Sequence, residues 1–144
     1  MNTKKAIKFT TASCLIAATL VALPATVLAQ DSDPKYEKLM KDLGDTNKKL
    51  RPAIQSKNAD DAAALGAHLV EIYKETVPFW EKRKAEDAVG FAKESLAAAT
   101  DLTAAAKAGD WTKASDAGKT LGKNCKACHE AHREKDADGK NKIK

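Results

Sequence analysis

The sequence is short of the residues that build turns, strands and sulfur chemistry. Its 144 residues include seven glycines, four prolines, three cysteines and seven aromatics (three Phe, two Tyr, two Trp). Turns are therefore few, and no stretch alternates apolar and polar side chains as a half-buried strand would. Together these absences leave no strand expected. No apolar run reaches the ~20 residues that a membrane span needs. An excess of one charge is lacking too, once the first residues are set aside.

Those first residues read as an export leader. Lys4, Lys5 and Lys8 precede a mostly apolar stretch from Ala12 to Leu23, and Pro24 and Val27-Leu28-Ala29 follow as a small-residue cleavage pattern. Residues 1–29 are expected to be a signal peptide, cut after Ala29, which places the mature chain in the periplasm without stable membrane insertion. The leader carries three lysines and no acid, so the precursor's net charge of +5 falls to 22 basic against 20 acidic residues. A nucleic-acid role has no electrostatic support at that balance. Cys14 leaves with the leader, and two cysteines remain.

What is present is helical periodicity, rich in alanine. Asp33-Pro34 is a start signal, an N-cap followed by a proline suited to the first helical position. Tyr36, Met40, Leu43, Asn47 and Leu50 then repeat in steps of three and four, with Pro52 expected to end or kink the helix. Asn58 caps a second helix, with Ala62, Leu65, Leu69 and Ile72 inward and Pro78 as its expected end; Phe79 to Lys84 would connect onward. A third runs from about Glu86 to Lys107, with Val89, Ala92, Leu96, Ala99 and Leu102 inward. Gly109-Asp110 is a stop and a start. The fourth helix carries Trp111, Ala114, Gly118, Leu121, Cys125, Cys128 and His132 on one seam. Residues 136–144 are expected to be a polar, mobile tail.

Four amphipathic helices with short links predict an all-α fold, an antiparallel up-down-up-down four-helix bundle over residues 30–135. A core so rich in alanine has little apolar area to bury, at ~25 cal/mol per Å². A large, flat apolar ligand would supply the missing surface.

Cys125-Lys126-Ala127-Cys128-His129 is the pattern that attaches haem c covalently. Two thiols three residues apart on one helical turn can each form a thioether with a vinyl group of one porphyrin, and the adjacent imidazole can reach the iron. Zinc would want four ligands, and Cys125, Cys128, His129 and His132 are crowded into about two turns. A redox C-x-x-C would want a strand-rich setting. A disulfide between near neighbours would close almost no loop and stabilise little.

This motif near the end of the last helix, continued as Glu130-Ala131-His132-Arg133, resembles the cytochrome c′ family over the whole mature chain. The family typically has an aromatic where this chain has His132, and a basic residue as at Arg133. Leu39-Met40 near the start of the first helix resembles the low-spin branch, in which a methionine is the second axial ligand. Homodimers through the first two helices are common in that family.

Helix geometry points to Met40 as well. It lies six residues after Pro34, and His129 lies six before Lys135; each is ~9 Å from the same end of the bundle at 1.5 Å per residue. His129 and Met40 are therefore the expected iron ligands. Met40 as core filler is the bland alternative. His68 lies nearer the middle of the bundle, His132 is read as cofactor-edge or surface, and Lys82-Arg83-Lys84 as a solvated run or a partner contact. No constellation of catalytic acid, base or nucleophile is recognisable. One-electron transfer between redox partner proteins is the expected function, and a five-coordinate binder of nitric oxide or carbon monoxide the alternative.

Overall fold

A computed structural model describes residues 33–144; the expected leader lies outside them. Four helices follow one another, α1 Pro34–Gln55, α2 Ala59–Arg83, α3 Glu86–Ala108 and α4 Trp111–His132. Links of two or three residues join them, so consecutive helices are antiparallel neighbours and the fold is the all-α four-helix bundle that the periodicity predicts. Among the described residues no helix is long and apolar enough to cross a membrane.

The helix ends follow from their caps. The Asp33 carboxylate accepts from the backbone N–H groups of Lys35 and Tyr36 at 3.0 and 3.2 Å. Asn58 and Asp110 accept from Asp61 and Lys113 in the same way, each at 3.1 Å. Each cap satisfies donors that the first helical turn leaves without partners. Gly109 closes α3 at φ +70°, a conformation that a Cβ would strain.

Neither proline ends its helix. Pro52 lies within the last turn of α1, and Pro78 lies inside α2, which continues to Arg83. An interior proline costs about 3 kcal/mol or more. Continuing α2 through Pro78 buries Trp80 to 3 % exposure, and burying a tryptophan, roughly 150–250 Å², contributes about 4–6 kcal/mol. Burial outweighs the broken hydrogen bond, so Phe79 to Arg83 are helix and not a connector.

Among the described residues, eleven of the twenty buried apolar ones are alanines, and the helices accordingly approach closely. The centre is Leu69, Leu102 and Leu121, all within 1 % exposure, with Leu43, Leu50, Ile72 and Tyr73 around them. α2 approaches α3 closely at Gly66. A Cβ there would meet Thr103 Oγ1 at 2.5 Å and Leu102 Cδ2 at 2.9 Å. Thr103 Oγ1 is held in place by donating to the Ala99 carbonyl at 2.8 Å. Gly66→Ala gains about 1 kcal/mol of helix propensity but overpacks a contact worth about 1–3 kcal/mol. Its urea midpoint is expected to fall, and a midpoint that rises would show that α3 moves aside freely.

The seams of the bundle are not equal. α1 packs along α2, α2 along α3, and α3 along α4, whereas α1 and α4 touch in few places. One end of the α1–α4 seam is open. The segment after α4 also differs from expectation. Residues 133–135 and 141–143 pair as a two-stranded antiparallel hairpin, with Arg133 opposite Ile143 and Lys135 opposite Asn141. The expected mobile tail is thus folded back. Asp138-Gly139 makes the turn, with Gly139 at φ +77° and the Asp136 carboxylate accepting from the N–H groups of Asp138 and Lys140.

Candidate functional site

A cavity of about 790 Å³ opens at the α1–α4 seam, within the roughly 300–1,000 Å³ typical of small-molecule and cofactor sites. Its wall includes Tyr36 and Met40 of α1, Trp80 of α2, and Cys128, His129 and His132 of α4. A smaller, deeper cavity of about 40 Å³ shares Met40, Cys128 and His129 and adds Leu43, Tyr73, Asn124 and Cys125. The structure therefore brings all four sequence-predicted site residues to one place. Met40 is half-buried, as are both cysteines and His129.

Burial sets the protonation of the donors. It pushes the Cys128 thiol up to about 11, with the neighbouring Cys125 and Asp87 adding to the shift. It also raises Cys125, whose sulfur lies 3.7 Å from the Tyr73 hydroxyl. Both residues are free thiols, and thiols with raised pKa values are poor nucleophiles for disulfide exchange. Burial, helped by the charge of Arg133, holds His129 below its ordinary value. The imidazole is neutral at neutral pH, the form that binds metals.

Aromatic packing shapes the wall. Trp80 donates its indole N–H to the Tyr36 hydroxyl at 2.9 Å. Phe79 stacks on Tyr36 with ring centroids 3.7 Å apart, and Trp80 meets both rings edge-on. His132 packs against Trp80 at 4.9 Å between centroids, and its Nε2 lies 2.9 Å from Asp87 Oδ2 of α3. His132 therefore borders the cavity while tethered away from its centre. Among the described residues no three His, Cys, Asp or Glu side chains converge on a metal-ion site, so Cys125, Cys128, His129 and His132 do not form the cage zinc requires. His68 is exposed and pairs with Asp42 at 3.0 Å, away from the cavity. Arg83 covers the Phe79 ring at 3.7 Å, and the Lys82-Arg83-Lys84 run does not line the cavity.

Two features escape the sequence reading. Asn124, 3 % exposed, lines the deeper cavity, and its Nδ2 is the single buried side-chain nitrogen or oxygen without a partner among the described residues. A buried donor left unmet costs about 1–3 kcal/mol. Its polarity hid it among the inward positions of α4. Trp80 is the second: Leu69, Ile72, Tyr73, Thr76 and Trp80 continue the three-four spacing straight through Pro78, a signal that it belongs to the helix and not to a connector.

A c-type haem fits these residues. The open seam supplies a slot with apolar and aromatic walls. Unbridged, protonated thiols stand on one helical turn beside a neutral imidazole, and a thioether faces the same cavity from α1. The rim carries Lys38, Lys41, Arg133, Lys135, Lys140 and Lys142 against Asp33 and Glu37, a charge balance suited to a cofactor with two carboxylates. No protein-family model matches the chain, and no curated protein matches it.

Proposed function

We propose that the chain is an exported c-type cytochrome of the cytochrome c′ kind, in its low-spin form, carrying single electrons between periplasmic redox partners. The observation that carries this reading is the shared cavity. Met40 from α1 and His129 from α4 line it together, with Cys128 one residue from His129. When bound there, haem would supply the one-electron couple. Cys125 and Cys128 would hold it through thioethers, which prevents its loss. The His129 nitrogen and the Met40 sulfur would be the axial ligands, a pairing that gives a raised potential.

The protein's remaining work is to keep this couple rigid and dry. Tyr36 and Trp80 give the cavity an aromatic wall, Trp80 edge-on to Tyr36, and Phe79 stacks on Tyr36 and braces it. The tethering of His132 to Asp87 keeps a second imidazole from competing for the iron.

The test is absorption spectroscopy of the chain made with export and cytochrome maturation machinery. A low-spin spectrum in both oxidation states, with haem that resists acid–acetone extraction, is the expected result. A colourless protein would reject the reading. A covalent haem that is high-spin and binds carbon monoxide would move it to gas binding.

A further inference from the structure

We infer that the hairpin after α4 is a wall of the cofactor site, and that Ile143 is the positioning residue that closes it. This rests on the haem reading above. The segment was expected to be solvated, yet Gly139, Lys140, Asn141, Lys142 and Ile143 line the same cavity as Met40, Cys128 and His129.

The anchoring is specific. The register places Ile143 opposite Arg133, and in this mostly polar segment Ile143 is the apolar side chain that packs against the core. It joins the cluster of Tyr36, Trp80 and Ala88, beside Met40 and Cys128. The backbone returns to the end of α4, where carbonyls would otherwise be unpaired. The Lys144 N–H donates to the His132 carbonyl at 3.0 Å, and Lys144 Nζ donates to the Glu130 carbonyl at 2.7 Å. The Asp136–Gly139 turn sets the return angle. A hairpin needed only to stop α4 would require those caps, but not an apolar side chain packed against the cluster of Tyr36, Trp80 and Ala88.

The physical consequence is control of solvent at the site. Excluding water lowers the local dielectric and disfavours the more highly charged oxidised state, which raises the potential. Removing the wall reverses that.

Three variants test this in the haem-loaded protein: deletion of residues 136–144, Ile143→Asp and Ile143→Leu. Deletion and Ile143→Asp are expected to leave the haem covalently attached and low-spin. Each should shift the redox equilibrium toward the oxidised form by about tenfold, about 59 mV for one electron. Ile143→Leu should restore the wild-type potential. In the haem-free chain, deletion should speed hydrogen exchange in the first turns of α1. A potential unchanged in all variants, with melting temperature alone lowered, would reduce the hairpin to a helix cap and overturn the inference while leaving the cytochrome reading intact. A wild-type chain that takes up no haem overturns both.

Discussion

Met40→Leu is expected to convert a low-spin cytochrome into a high-spin one that binds carbon monoxide. Leucine keeps nearly the volume of methionine, and such swaps usually cost less than about 1.5 kcal/mol. Packing against Tyr36, Trp80 and Leu43 is therefore retained, while the sulfur is removed. Met40→Ala would mix two effects, because truncating a buried methionine costs about 2–5 kcal/mol; Met40 is half-buried, which puts it near the lower end. The two variants together separate ligation from packing. With Met40 as axial ligand, both lose the low-spin spectrum, the potential falls, and carbon monoxide binding to the reduced form goes from absent to stoichiometric. With Met40 as filler, Met40→Leu keeps the wild-type spectrum whatever Met40→Ala does to stability. That second pattern would favour the gas-binding reading.

The second large effect is expected at the cysteines. If the proposed thioethers form, neither wild-type thiol should react with a thiol reagent after maturation, because both sulfurs would be used. Cys125→Ala and Cys128→Ala should each keep haem through the remaining thioether. The double variant should release its haem entirely to acid–acetone, although His129 and Met40 could still bind it non-covalently. The two single variants are not equivalent. Cys125 lies against the Tyr73 hydroxyl at 3.7 Å, so its removal also takes one of that hydroxyl's neighbours, Ser95 being the other, a loss of about 0.5–1.5 kcal/mol. Cys125→Ala is thus expected to melt lower than Cys128→Ala. Two reactive thiols in coloured wild-type protein would show that the C-x-x-C-H pattern does not attach the cofactor.

The elements that local chemistry controls were readable in the residues. Asp33, Asn58, Asp110 and Gly109 act within a turn of themselves, and each stands at the helix boundary its side chain implies. Leu43, Leu50, Leu69, Ile72, Leu102 and Leu121 follow the helical period and are buried. The errors fall where distant contacts outweigh local preference. Pro78 is a helix breaker by its own chemistry, but the tryptophan two residues on has more to gain from reaching Tyr36 than the missing N–H costs. The hairpin carried a usable signal in Asp138-Gly139, a dipeptide suited to tight turns, but charges all around it made the stretch read as solvated. Asn124 continues the three-four spacing of Ala117, Leu121 and Cys128, and only its polarity kept it out of the inward set.

Spacing along the chain thus settles the helices, their caps and the clustering of Cys125, Cys128 and His129 on about one helical turn, because those depend on residues a few positions apart. Chain order and short links go one step further and make the bundle antiparallel, bringing the start of α1 level with the end of α4. That the α1–α4 seam stays open while the other three close depends on the sizes of side chains nearly a hundred residues apart. So do the seat of Ile143 against Tyr36 and Trp80, the tether of His132 to Asp87, and the raised thiols of Cys125 and Cys128. Desolvation is a property of everything packed around a group, and it exists only once the helices have met.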